Sequence, residues 1–160
     1  MKYCKVRDVK SPERGTPGSA GIDFFVPNDF VPASVWPQHD LLIPSGIKMN
    51  IPHGFMLLGV DKSGIATSFW ACRRAGRTPK AGSFNSPVII GAKLIDEDYQ
   101  GEIHIHIINV GQEIIHIRPG MKIAQFVLVP VNYESLEETT EFLLFNAVTE
   151  RGKGGFGSTD

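Results

Sequence analysis

The sequence predicts an all-β domain, a sandwich or barrel built from short strands. Eleven prolines and 17 glycines in 160 residues leave little room for long helices. Between these breaks, apolar and polar residues alternate at residues 47–51 and 103–107. A period of two is typical of a strand with one buried face. Many short strands of this kind indicate a sandwich or barrel.

The individual elements follow from the same pattern. Two of the predicted strands, at residues 55–60 and 123–129, are continuous apolar runs, and the second of these ends at Pro130. The strand at residues 113–117 is predicted to return along the strand at residues 103–107 after a turn at residues 109–112. One short helix is predicted over residues 65–74, with Gly76 as its end. The strands are predicted at residues 47–51, 55–60, 103–107, 113–117 and 123–129.

Composition excludes several classes of protein. Lys plus Arg is 16 and Asp plus Glu is 17, which argues against a general nucleic-acid binder because such proteins carry a basic surplus. No apolar run approaches the ~20 residues of a membrane span, and the first ten residues lack the apolar core of a signal peptide. Two cysteines are too few for a disulfide framework. We expect an intracellular protein, cytoplasmic or nuclear, with no membrane partner.

The C-terminal segment combines one arginine, one phenylalanine and two hydroxyls with closely spaced glycines. A dinucleotide-binding fold is excluded because no helix follows the glycines. A disordered tail is one interpretation. Alternatively, Arg151 can bind phosphate oxygens in a fork and Phe156 can stack on a base, so the tail would close over a nucleoside triphosphate. The segment reads Arg151-Gly152-Lys153-Gly154-Gly155-Phe156-Gly157-Ser158-Thr159.

A second segment places three acids and a tyrosine between apolar residues and an alternating strand. A solvated hairpin tip is one interpretation, because Asp and Gly are common in turns. Alternatively, Asp96 can take a proton from water as a general base, and Tyr99 can pack on a sugar. The segment reads Leu94-Ile95-Asp96-Glu97-Asp98-Tyr99-Gln100-Gly101.

Three shorter segments carry weaker signals. Lys62, Ser63 and Gly64 stand at a possible helix start, which suits a phosphate but equally suits a simple helix cap. Asp23 ends the segment at residues 19–23, and Gln125 lies within residues 121–126.

Together, the five segments resemble the five motifs of the trimeric dUTPase family, in the same order and from about residue 15 to the end. The resemblance implies a distorted β jelly roll that assembles as a homotrimer with shared active sites. Residues 1–145 would form the β domain, with an insertion at about residues 68–88. Residues 146–160 would form a flexible arm that closes the active site.

The resemblance also implies a reaction, the Mg²⁺-dependent hydrolysis of dUTP to dUMP and pyrophosphate. Asp96 would activate the water that attacks the α-phosphorus. Asp23 and Gln125 would hold metal-bound waters or phosphates, while Mg²⁺ itself is bound mainly by substrate phosphates. Three residues of a neighbouring subunit would contact the phosphates, namely Lys62, Ser63 and Gly64.

The nucleoside would be bound by the hairpin that carries Asp96. Tyr99 would pack on the deoxyribose, and the hairpin between Ile90 and His104, including Leu94 and Ile95, would bind uracil. A third subunit would supply the arm. Its contributions would be stacking of Phe156 on uracil and closure on the phosphates by Arg151, Gly157, Ser158 and Thr159.

The sequence departs from the family pattern at three places. Lys62 replaces an arginine and loses its forked geometry. Ile90 and Lys93 stand where the family usually has Asn and Gly. The insertion at about residues 68–88 is either an extra loop at a subunit edge or an arm that binds a protein partner.

Three other functions remain open at this point. A dCTP deaminase shares the fold and the second and third motifs but would lack the C-terminal segment. A regulatory protein would bind dUTP without turnover, and a structural jelly roll would bind none. His104 and His106 lie on one strand face, where a structural role is favoured over a zinc pair because no companion Cys/His cluster accompanies them.

Overall fold

The computed structural model describes residues 1–66 and 86–154, and short antiparallel strands make up most of its regular secondary structure. Two four-residue helical turns, α1 and α2, accompany them. The elements in chain order are β1 (Lys2–Lys5), β2 (Glu13–Arg14), β3 (Ile22–Phe25), β4 (Ala33–Val35), β5 (Asp40–Pro44), β6 (Ile47–Asn50), β7 (Phe55–Val60), α1 (Ser63–Ala66), β8 (Val88–Gly91), β9 (Leu94–Ile95), β10 (His104–Asn109), β11 (Ile115–Ile117), β12 (Lys122–Pro130) and α2 (Glu141–Leu144).

The strands form two larger and two smaller sheets. The largest has the order β2-β3-β12-β7-β9, and a three-stranded sheet has the order β5-β10-β8. The pairs β1-β6 and β4-β11 complete the layers, and every pair is antiparallel. Neighbours in these sheets are distant in sequence, as strands that cross between the layers of a jelly roll must be. The predicted all-β fold class is confirmed.

The alternating segments bury one face each. In β10, Ile105 and Ile107 are buried while His104 and His106 are half-buried. In the largest sheet, the rings of Phe24 and Phe126 lie 4.7 Å apart at a tilt of 55°, an arrangement that aromatic pairs favour. Isoleucine dominates the remaining core, which fits the β-branched residues that pack well on pleated sheets.

The predicted return of residues 113–117 along β10 is wrong. β11 pairs with β4 instead, with Ile115 opposite Val35. The buried side chain of Asn109 explains the change of partner, because its amide donates to the carbonyls of Val35 (2.9 Å) and Glu113 (2.8 Å). These bonds turn the chain away from β10 at residues 109–113.

The helical predictions fall partly outside the described residues. α1 coincides with the start of the helix predicted over residues 65–74, but residues 67–85 are not described. Most of the insertion at about residues 68–88 therefore lies outside the description. α2 is an additional turn in the segment that follows β12. Among the described helices, none is long and apolar enough to cross a membrane.

Candidate active site

Asp96 follows the edge strand β9 and opens onto a cleft. Ile95 pairs with Leu57 of β7, which fixes where the chain leaves the sheet. The cleft measures about 210 Å³. It is lined by Leu42, Ala92, Leu94, Ile95, Asp96, Tyr99 and His104. The structure thus brings together five of the predicted site residues, from two neighbouring sheets.

The carboxylate of Asp96 is exposed. Among the described residues, the side chain of its neighbour Glu97 forms hydrogen bonds. Within that same part of the chain, Asp96 forms one only through its main-chain carbonyl, which accepts from Tyr99 N–H at 3.2 Å. An exposed carboxylate with free oxygens at a cleft can accept a proton from water.

Tyr99 forms the rim of this cleft. Its hydroxyl donates to the carbonyl of Glu102 at 2.9 Å. A Cβ at Gly101 would collide with the same hydroxyl, so a glycine is required where the ring folds back over the turn. The ring is held at the cleft by its own hairpin, in position to pack on a ligand.

Two lining residues were not predicted. Leu42, on β5, exposes 56% of its surface to the cleft side, and Ala92 lies between β8 and β9 at φ +40°. A left-handed φ is uncommon for a residue with a Cβ and clusters at functional sites. The local sequence offered no signal for Leu42, because strand pairing across more than 60 residues brings it to the hairpin.

A second cluster is built around the buried Asp23 on β3. Its Oδ1 accepts a hydrogen bond from Lys62 Nζ at 2.9 Å and its Oδ2 one from Lys122 Nζ at 2.7 Å. Burial alone would raise the pKa of Asp23, but the hydrogen bonds and charges of Lys122 and Lys62 outweigh it and hold the pKa below its ordinary value. Asp23 is therefore a carboxylate shared by two ammonium groups.

A β-bulge brings Lys122 into this cluster. Lys122 pairs with Phe25 and Ala124 with Phe24, so Ile123 is the extra residue. The extra residue places Lys122 on the same face of the sheet as Asp23 and re-aims its side chain, as bulges do. Lys122 was not predicted as a site residue, although it lies within the fourth motif.

Gln125 lies beside Asp23 in the same cluster. The two residues are direct cross-strand partners. Gln125 Nε2 donates to the carbonyl of Asp61 at 3.1 Å, and its Oε1 lies so close to Gly21 that a Cβ there would collide. Strand pairing thus places Asp23 and Gln125 side by side, next to Lys62. The start of α1 at Ser63 and Gly64 follows Lys62 directly.

Ile90 is placed differently from the other hairpin residues. Its side chain is 4% exposed and belongs to the core. Its N–H donates to Asp61 Oδ1 at 2.7 Å, and it does not line the cleft. Direct contact between Ile90 and a ligand therefore stays a prediction.

The two clusters lie at opposite ends of β7 in one chain. The register places Asp96 beside Met56, whereas Val60 pairs with Gln125 and Lys62 follows two residues later. At about 3.3 Å per strand residue, Met56 and Val60 are about 13 Å apart along the strand. The two clusters of one chain are therefore separated.

The C-terminal segment contributes to neither cluster within the described residues. The exposed Arg151 donates from Nε to its own segment, to the carbonyl of Gly154 at 3.0 Å. The remaining predicted residues of this segment, Phe156, Gly157, Ser158 and Thr159, lie outside the described residues.

Among the described residues, no group of three or more His, Cys, Asp or Glu side chains is arranged to hold a metal ion. His106 Nε2 pairs with Asp40 at 2.8 Å, and His104 Nδ1 donates to the carbonyl of Glu102 at 2.9 Å.

Comparison with known sequences shows the family. The family model for dUTPase matches residues 7–160. A protein of Chlamydia muridarum named deoxyuridine 5'-triphosphate nucleotidohydrolase is 34% identical over 158 residues, 98% of this chain and 96% of the relative. A protein of the same name from Chlamydia pneumoniae is 40% identical over 148 residues, 92% of this chain and 89% of the relative.

Solved structures show the same fold. A mutant dUTPase of Staphylococcus bacteriophage 80alpha, solved with dUpNHpp, has a TM-score of 0.76 at 24% identity, covering 99% of this chain and 96% of its own. A mutant dUTPase of phage phi11 of S. aureus, described with a structural Mg(II) ion, has a TM-score of 0.69 at 21% identity, covering 88% of this chain and 97% of its own.

The fold and the clustered motifs thus define a jelly-roll protein of the dUTPase type. With the matched family model spanning nearly the whole chain, the assignment is direct. The chain belongs to the dUTPase family.

Proposed function

We propose that this chain hydrolyses dUTP to dUMP and pyrophosphate. The observation that carries the proposal is the exposed Asp96 carboxylate at the cleft beside Tyr99. Family membership supports it, since relatives at 34% and 40% identity are named for this reaction.

The reaction needs little covalent chemistry from the protein. Asp96 takes a proton from water as the water oxygen forms a bond to the α-phosphorus. The bond from the α-phosphorus to the bridging oxygen breaks, and pyrophosphate leaves with the electron pair. Positioning and charge neutralisation supply most of the catalysis in phosphoryl transfer of this kind.

The nucleoside is bound in the cleft of about 210 Å³. Tyr99 packs on the deoxyribose and leaves no room for a 2′-hydroxyl. The hairpin backbone between residues 90 and 104 pairs with the uracil edge, with Leu94, Ile95 and His104 as walls. A narrow slot excludes thymine by overpacking, and mismatched donors exclude cytosine.

The phosphates are bound by the cluster at Lys62, Ser63 and Gly64. Lys62 pairs with Asp23, and its side chain is partly exposed. Exchange of this partner for a phosphate frees Asp23 Oδ1. Asp23 and Gln125 would hold Mg²⁺ through water, with the phosphates as its main ligands, and the ion would supply neutralisation of phosphate charge.

A homotrimer with shared sites would bring the two separated clusters together, each from a different copy of the chain. The hairpin of one copy faces the Lys62 cluster of another, because the two clusters of one chain lie at opposite ends of β7. The segment after β12 supports assembly too, since it leaves large apolar side chains exposed. They are Leu136, Phe142, Leu143, Leu144, Phe145 and Val148.

The arm at residues 146–160 closes the site from a third copy. Phe156 stacks on uracil, and Arg151, Gly157, Ser158 and Thr159 close on the phosphates. A protein partner at the insertion of residues 68–88 and an intracellular location stay predictions.

The test is pyrophosphate release in the presence of Mg²⁺, with dUTP, dCTP, dTTP and UTP in parallel, for the unaltered chain and Asp96→Asn. Turnover of dUTP that is lost in Asp96→Asn is expected. Ammonia from dCTP would assign the chain to the deaminases. Binding of dUTP without turnover would assign it to the regulatory proteins.

A further inference from the structure

Glu97, the residue after Asp96, is anchored to a different part of the chain. Its Oε1 pairs with His53 Nδ1 at 2.8 Å, and its Oε2 accepts from Gly54 N–H at 2.6 Å. Both partners belong to the turn between β6 and β7, where Gly54 adopts φ +82°. The side chain of Glu97 is 23% exposed, so a hairpin residue beside Asp96 is bonded through both oxygens to a turn 43 residues away.

The same turn holds the start of the segment that follows β12. Val131 N–H donates to the carbonyl of Gly54 at 2.8 Å. Two residues on, the ring of Tyr133 stacks on His53, with centroids 6.1 Å apart and planes at 14°. We call Glu97, His53, Gly54 and Tyr133 the Glu97 anchor.

Electrostatics favour the ionised form of Glu97. The hydrogen bond from His53 is the largest cause that holds the pKa of Glu97 below its ordinary value, opposed by burial and assisted by Gly54 and Tyr133. Burial first, and then the bond to Glu97, raises the pKa of Tyr133. At neutral pH Glu97 is therefore an ionised carboxylate that accepts from Gly54 N–H, a charge-assisted bond of the stronger kind.

We propose that Glu97 is a positioning residue that fixes the orientation of Asp96 and links it, through His53 and Gly54, to the segment that follows β12. The proposal rests on the function proposed above, because the group it positions is the general base of dUTP hydrolysis. It goes further in assigning a role to Glu97 itself and to three residues outside the five segments that resemble the family motifs, His53, Gly54 and Tyr133.

The physical reason is the placement of Asp96 itself. β9 contributes only Leu94 and Ile95 to the sheet, and the chain leaves it at Asp96. The described contacts that hold the following turn are the bonds of Glu97 and the bond between Tyr99 N–H and the Asp96 carbonyl. A displacement of about 1 Å in a reacting group costs about 100-fold in rate. Loss of the anchor is therefore expected to affect kcat.

The test compares kcat and KM for dUTP among Glu97→Ala, Glu97→Gln, Tyr133→Ala, which removes the ring that stacks on His53, and the unaltered chain. Glu97→Ala is expected to lower kcat by about 10- to 100-fold, with KM for dUTP within about twofold. Glu97→Gln is expected to recover part of the loss, because its amide oxygen still accepts from Gly54 N–H. Combined with Glu97→Ala, Tyr133→Ala is expected to add little, since both act through one anchor.

Asp98→Asn is the matched control. It removes one negative charge from the same turn without breaking a bond of the anchor, so an effect of charge alone would appear in Asp98→Asn and Glu97→Gln equally. Circular dichroism and nucleotide titration confirm that each variant is folded and give the number of sites. If Glu97→Ala does not fold, the comparison uses Glu97→Gln and Tyr133→Ala.

The outcomes separate this proposal from the proposed function. An unaltered chain without dUTP turnover would overturn both. Normal turnover in the unaltered chain and an unchanged kcat in Glu97→Ala, or equal losses in Glu97→Gln and Asp98→Asn, would overturn the positioning role alone.

Discussion

The side-chain oxygen of Gln125 lies directly against Gly21, where a Cβ would collide with it. The contact joins β12 to the segment before β3 and holds the Gln125 amide at the carbonyl of Asp61. A glycine is therefore needed here for space, because no positive φ is recorded at this position.

Substitution of this glycine should displace the glutamine. For Gly21→Ala we expect a loss of about 1–3 kcal/mol in the free energy of unfolding, as for other overpacked sites, together with weaker binding of nucleotide. Urea unfolding and nucleotide titration measure the two effects. Gly18→Ala is the matched control, since nothing lies within 4 Å of a Cβ at that position. Equal effects of the two substitutions would contradict the steric explanation.

The Asp23 cluster should make stability depend on pH in acid. Because the folded-state pKa of Asp23 is below its ordinary 3.8, the carboxylate contributes stability above about pH 4, and this is lost as pH falls through the lower folded-state value. Asp23→Asn is expected to cost about 1–3 kcal/mol at neutral pH, with the difference from the unaltered chain vanishing in strong acid.

Urea unfolding between about pH 7 and pH 2.5 measures this difference. Asp29→Asn serves as the comparison, because Asp29 is 51% exposed in its pair with Arg7, and exposed pairs contribute about 0–1 kcal/mol. A constant difference between Asp23→Asn and the unaltered chain across the whole pH range would contradict the assignment.

Tyr99 should control discrimination between deoxyribose and ribose. Removal of the ring in Tyr99→Ala opens the cleft, so we expect the ratio of kcat/KM for dUTP to that for UTP to fall by roughly tenfold or more. Tyr99→Phe keeps the ring but loses the bond to the Glu102 carbonyl, and most of the discrimination should remain. If both variants lose it equally, the hydroxyl rather than the ring is responsible.

Two inactive variants should complement each other in mixed trimers. In the function proposed above, Asp96→Asn lacks the base, Lys62→Ala lacks a phosphate contact, and the two residues come from different copies at one site. Refolding an equal mixture should restore turnover at about a quarter of the sites, if assembly is random. A mixture of Asp96→Asn with Asp96→Ala should restore none. No recovery in the first mixture would place both residues in one copy.

The sequence was sufficient where the chemistry is local. Alternation over residues 103–107 predicted the buried isoleucines of β10, and the acids before Gly101 predicted a turn with an exposed carboxylate. These features depend on neighbours in the chain, whose spacing a periodic pattern records.

Long-range pairing was the part that the sequence did not predict. β11 was assigned to β10 although it pairs with β4, because the deciding contact is the amide of Asn109 with the distant Val35 carbonyl. The sequence did not predict Leu42 or Lys122 as site residues for a similar reason. Strand pairing places Leu42 beside the hairpin, and a β-bulge directs Lys122 toward Asp23.

The bulge at Ile123 makes this protein's chemistry depend on strand register as well as on residue identity. If the same residues of β12 paired with β3 in regular register, Ile123 would stand opposite Phe25 and Lys122 would turn to the other face of the sheet. The buried Asp23 would then keep a single cation, Lys62, although no residue had changed.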